Sequence, residues 1–186
     1  MRHSLPALFC ATLLAACGAS NDARYLITAA PGAEKVRVRA QSVEMRLVSL
    51  PAYAAAVEIV AEGDGGALFT LPDAVWADDP ARGITAALAR GLAERSTAEV
   101  AVEPWPLNEG PDARIDVRID QAHRRAGGLF VLAGQYAVSS PEDTLREFLR
   151  RFEITVPAAG EGPTATAQAM TLALAELSGQ MAAALR

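Results

Sequence analysis

The sequence predicts an α+β fold, a largely antiparallel sheet with two main helices packed on one face. Three observations predict it. Several apolar runs alternate with charged residues at strand spacing. Two segments, one opened by Asp79-Pro80 and one covering 164–185, switch to helical spacing. Glycine and proline punctuate the chain between these runs. The composition, 51% hydrophobic and 21% charged, is that of a globular chain rather than a disordered one.

The elements follow in order. Tyr25 and Ile27 alternate in a first short strand over 24–28, broken by Pro31-Gly32. Val36, Val38 and Ala40 alternate with Lys35, Arg37 and Arg39, and Val43, Met45 and Leu47 continue the extended pattern to Leu50. Pro51 ends it. Strands at 57–61 and 67–71 flank Gly63-Asp64-Gly65-Gly66, a hairpin signal in which Asp64 is a turn residue.

Asp79 caps the next helix, with Pro80 at its tolerated first position. Ile84, Ala87, Leu88, Gly91 and Leu92 form its apolar stripe. Gly91 costs about 1 kcal/mol against Ala in a helix interior, and close approach to the sheet is the expected compensation. A strand follows at 99–103, then a proline-rich loop around Trp105. Ile115, Val117 and Ile119 alternate with Arg114, Asp116, Arg118 and Asp120 in the cleanest strand of the chain, and Gly127-Gly128 turns it into a partner over 129–138.

Residues 144–156 fit a helix through Leu145, Phe148, Leu149 and Phe152, and a strand through Phe152, Ile154 and Val156. The hairpin-like connection at 139–143 favours a strand for most of it. The last helix puts Met170, Leu174, Leu177, Met181 and Leu185 on one face, and its Gln168, Glu176, Gly179 and Gln180 argue against a membrane span.

The first residues set the compartment. Met1-Arg2-His3 is a short basic start, and residues 5–16 are apolar. A bilayer-spanning helix needs about 20 such residues, so the stretch has the proportions of a secretory signal. It exits through Leu14-Ala15-Ala16-Cys17-Gly18, which resembles a bacterial lipobox. Cys10 is a poor rival, because bulky Phe9 precedes it. The resemblance implies cleavage before Cys17, with a diacylglycerol on its sulfur and an acyl chain on its new amino group. It also implies the outer membrane, since Gly18 rather than Asp follows the cysteine. The expected organisation is a signal peptide at 1–16, a lipidated Cys17 with a tether at 17–24, and one α+β domain at 25–186. Each buried acyl CH₂ contributes about 0.8 kcal/mol, so several chains anchor the protein stably. The extended tether reaches about 25 Å, keeping the domain close to the lipid surface.

Several function classes lose ground on composition and motif. Lys and Arg number 17 against 22 Asp and Glu, giving −5 and no basic footprint for nucleic acid. Loss of Arg2 with the leader makes the charge one unit more negative. One mature cysteine allows no disulfide within the chain, and one mature histidine, His123, leaves no His/Cys zinc set. No nucleophile elbow, phosphate loop or dinucleotide fingerprint occurs. His123 reads as a solvated hairpin residue beside Arg124 and Arg125. Asp78-Asp79 reads as helix capping, and Asp116 and Asp120 as a charged strand face. No catalytic, cofactor or metal residue is assigned, and the reading is non-enzymatic.

Trp76 and Trp105 lie at element ends near proline, where buried anchors are common and partner contact is the alternative. Leu50, Pro51, Tyr53 and Trp76 are the candidate interaction surface, because they lie where strands end.

A family resemblance emerges from the order of short motifs. After the lipobox come Tyr25-Leu26, Leu50-Pro51-Ala52-Tyr53, Ile59-Val60, Trp76-Ala77 before an amphipathic helix, and a long Ala/Leu C-terminal helix. This order resembles the auxiliary lipoproteins of ABC-type transport systems, the PqiC/YmbA-like family. The resemblance implies a non-catalytic outer-membrane component of an intermembrane lipid transport machine, which docks the periplasmic conduit. Its partners would be MCE-domain transporter subunits, and ring-like self-association, a homo-oligomer, would suit a conduit. The rival reading is an adaptor lipoprotein of another envelope machine, for secretion, lipopolysaccharide export or wall assembly.

Overall fold

The computed structural model describes residues 22–186 apart from 33 and 144. The signal segment and Cys17 lie outside the described residues. The chain runs β1 (Ala23–Tyr25), β2 (Ser42–Met45), α1 (Ala52–Ala55), β3 (Glu58–Glu62), β4 (Leu68–Trp76), α2 (Pro80–Arg95), β5 (Glu99–Val102), β6 (Ala113–Arg124), β7 (Leu129–Ser139), β8 (Phe148–Pro157) and α3 (Pro163–Ala184). The fold is α+β, with α2 and α3 packed side by side against the sheet.

The sheet is mixed rather than largely antiparallel. Its strand path is β1-β4-β3-β6-β2-β5, with β7 and β8 added on the other side of β6. The hairpin β3–β4 and the meander β6–β7–β8 are antiparallel, as their short turns require. The remaining pairs, β1 with β4, β2 with β5 and β6, and β3 with β6, are parallel. The long connections produce them. The α2 crossover returns the chain so that β5 runs alongside β2 in the same direction. One edge of β6 is shared end to end, by β2 at Ala113–Ile115 and by β3 at Arg124.

The α2 cap forms as the sequence predicts, with Asp79 Oδ1 accepting the Arg82 amide at 2.9 Å. The core lies between the sheet and the helices. Ile115, Val117, Leu132 and Ile154 meet Ile84, Leu88, Leu174 and Leu177 there. Burying each such side chain stabilises by about 1.5–3 kcal/mol.

Three local expectations change. Residues 36–40 alternate in burial, but Val36 makes only an isolated bridge to Ser96. The next amides go elsewhere: Val38 donates to Thr97 Oγ1 and Arg39 to the Leu185 carbonyl. Second, β4 runs on past Pro72 to Trp76, through Asp73 at a positive φ of 54°. Third, Gly91 faces α3 rather than the sheet: a Cβ there would lie 2.5 Å from Ser178 Oγ. The short helix α1 after Pro51 carried no helical spacing to announce it.

Candidate functional site

A cleft of about 560 Å³ opens beside the start of the described chain. Leu26 and Ile27, just after β1, form one wall, and the first turns of α2 from Arg82 to Ala86 form another. Leu47 and Val102-Glu103 close it. Its apolar residues face solvent: Leu26 is 70% exposed and Leu47 is 49% exposed. Gly83 lets Ile27 lie across α2, since a Cβ at that position would come within 3.2 Å of Ile27.

The exposure of Leu47 has a local cause. Alternation from Val43 and Met45 places it inside, yet the structure turns it out and buries Val48 instead. Arg46 and Ser49 still donate to the β6 carbonyls of Ile115 and Val117. Between them the Leu47 amide donates to Glu103 Oε1 at 2.9 Å, and the Val48 amide to Thr85 Oγ1 at 3.0 Å. The Thr85 hydroxyl in turn donates to the Ala81 carbonyl at 2.6 Å. Side-chain acceptors thus replace the sheet ladder at two amides, so the chain bends and the pleat changes phase. Arg46 Nε reaches the same Glu103 at 3.3 Å. Only Thr85, a polar residue within the α2 apolar face, signals this in the sequence.

The surface expected at Leu50, Pro51, Tyr53 and Trp76 is arranged otherwise. Trp76 is 5% exposed and belongs to the core. Leu50 packs against that core, and the Pro51 carbonyl accepts the Ala54 and Ala55 amides that open α1. Tyr53 Oη accepts the Ala122 amide at 3.1 Å and lies 3.2 Å from His123 Nδ1. The void between Tyr53 and Trp76 is about 10 Å³, too small for a substrate. These residues anchor the segment after β2 onto the sheet. His123 is correspondingly not a solvated residue. Its side chain is 11% exposed, with Nε2 3.6 Å from Glu62. Burial pushes its pKa below the usual imidazole range, with the Glu62 charge opposing and Arg125 reinforcing the shift.

Arg114 also departs from a plain solvent face. It donates to Glu44 at 2.7 Å, and Glu44, which is buried, also accepts the Trp105 amide. Asp116 faces Arg118 at 3.4 Å on the same strand. Among the described residues no group of three His, Cys, Asp or Glu could hold a metal ion. No described helix is long and apolar enough to cross a membrane.

Residues 25–182 match the family model of the ABC-type transport auxiliary lipoprotein component. The chain belongs to that family. The match spans nearly all of the described fold, and it bears out the resemblance carried by the order of Tyr25, Leu50-Pro51-Ala52-Tyr53 and Trp76-Ala77. A crystal structure of a Xanthomonas campestris protein of family DUF330 superposes with a TM-score of 0.70 at 15% identity, covering 88% of this chain and 94% of that one. A crystal structure of an uncharacterized protein gives 0.68 at 16% identity, covering 85% and 99%. Both share the fold. No curated protein matches the chain significantly. Family membership makes this chain an auxiliary component of ABC-type transport and implies transporter subunits as its partners.

Proposed function

We propose that this lipoprotein docks the periplasmic conduit of an MCE-type, ABC-linked lipid transport system at the outer membrane, without catalysing a reaction. Acyl chains on Cys17 hold it to the periplasmic face of that membrane. The partners are MCE-domain transporter subunits. The observation that carries the reading is the family match over residues 25–182.

The exposed face at Leu26 and Leu47 supports a contact role. It follows the tether directly, nine residues beyond Cys17 in the sequence. A span of that length reaches about 30 Å at most. A partner arriving at the membrane surface therefore meets this face early. An apolar segment of the conduit fits it, because the cleft presents leucine, isoleucine and valine side chains between Arg82 and Glu103. Ring-like self-association suits a conduit as well, and the outer edge of β8 pairs with no other described strand.

The test is crosslinking in intact cells, followed by purification of the membrane-bound protein and identification of what it holds. Recovery of MCE-domain subunits supports the proposal. Recovery of secretion or wall-assembly components in their place contradicts it.

A further inference from the structure

Four arginines converge at the end of the sheet where α3 stops. Arg39 comes from the segment before β2, Arg146 from just before β8, Arg150 from the first part of β8, and Arg186 from just after α3. They line a cleft of about 460 Å³ whose floor includes Val138, Phe148 and Leu185. All four are exposed. None is in an ion pair among the described residues, and no described acidic side chain lines the cleft. Such a concentration of one charge is notable in a chain whose formal charge is −5. The partial negative end of α3 lies on the same side.

Arg150 makes the cluster more than a solvated rim. Phe152, Ile154 and Val156 point into the core, and by strand parity Phe148 and Arg150 face the same side. Arg150 therefore occupies a helix-facing position at which an apolar residue would extend the core. Its guanidinium lies 5.0 Å from the Phe148 ring centroid, which orients it over the floor. It stands opposite Tyr136 in the β7–β8 register, and its charge opposes the burial that raises the Tyr136 pKa.

We propose that this cleft binds an amphiphilic anion, a phosphate group with a hydrocarbon tail. The arginines supply planar, paired donors for the phosphate oxygens. The apolar floor takes the first methylenes of the tail. The proposal is independent of the docking reading, because it concerns a different cleft and needs no transporter subunit.

The experiment uses the full-length lipidated chain in nanodiscs of zwitterionic lipid, with empty discs as the blank. Calorimetric titration compares hexyl phosphate, inorganic phosphate and hexanol. Hexyl phosphate binds, and inorganic phosphate binds at least about tenfold more weakly, the equivalent of a modest apolar contact. Arg146→Gln with Arg150→Gln weakens hexyl phosphate by about tenfold or more. Arg150→Lys alone keeps part of the affinity. Arg90→Gln, on the exposed side of α2, changes nothing, and thermal melting verifies that each variant is folded. Equal binding of inorganic and hexyl phosphate overturns the proposal, as does full affinity in a folded double variant. Dihexanoyl phosphatidylglycerol separates the sources. Its binding assigns the site to phospholipid, and binding of hexyl phosphate alone assigns it to a soluble alkyl phosphate.

Discussion

Tyr53 and His123 are joined edge to face, with ring centroids 5.8 Å apart and Oη 3.2 Å from Nδ1. Tyr53 Oη already accepts the Ala122 amide. On the far side of the imidazole, Nε2 faces the Glu62 carboxylate, which only accepts. The consistent assignment has Nε2 protonated and the tyrosine hydroxyl donating to Nδ1. A line of three side chains then ties the segment after β2 to the β3–β6 junction. It is closed to substrates, and its consequence is stability.

Tyr53→Phe removes the acceptor of the Ala122 amide and the donor to His123. The expected loss is about 1–3 kcal/mol, the range for stranding a partly buried polar group. Urea unfolding of the variant against the parent, at neutral pH, measures it.

The same line predicts a pH dependence. Burial lowers the His123 pKa in the folded state. The unfolded imidazole, near its ordinary value of about 6.5, takes up a proton first as pH falls. The stability due to neutral His123 is thus complete above about pH 6.5 and declines below it, toward the folded-state pKa. Urea midpoints between pH 7.5 and 5.5 should fall in the parent and fall less in His123→Gln. An identical decline in the variant would assign the effect to other groups.

Gly91→Ala should destabilise the α2–α3 contact by about 1–3 kcal/mol, despite the better helix propensity of alanine. The new methyl would meet Ser178 Oγ at 2.5 Å and Ser178 Cβ at 3.0 Å. Ser178→Ala removes the nearer atom, so it should recover part of the loss in the Gly91→Ala background. Thermal melts of the four proteins in that cycle give the coupling.

Thr85→Val keeps the shape of the side chain and removes the acceptor of the Val48 amide. The cost is about 1–3 kcal/mol. The bend that exposes Leu47 should also relax, and hydrogen exchange at residues 46–49 reports it. Unchanged exchange there would mean that Glu103 alone holds the bend.

These sites explain how far the sequence could be read. The β6–β7 hairpin was legible because alternation and the Gly127-Gly128 turn agree. So was α2, whose cap and stripe are both local. The parallel pairs were not, because they depend on where crossovers return the chain. Alternation over 36–40 correctly marked Val38 and Ala40 as buried, but hydrogen bonds to Thr97 and Leu185 replaced a strand. Leu47 looked internal because no local pattern shows that Glu103 and Thr85 accept the amides of Leu47 and Val48. Trp76 was read both as a buried anchor and as part of the candidate interaction surface, and the structure buries it; the exposed face at Leu26 and Leu47 went unannounced. The family was legible from motif order, which survives where each short motif alone is weak.

The proposed docking role works by contact through the face at Leu26 and Leu47. The most direct measurement places a photo-crosslinking amino acid at Leu47 in the intact cell envelope, and a second at Thr155, on the exposed side of β8, for comparison. The account predicts an ultraviolet-dependent adduct between position 47 and an MCE-domain subunit, absent from position 155. An adduct only at position 155, or one at position 47 with a subunit of an unrelated envelope machine, would contradict it.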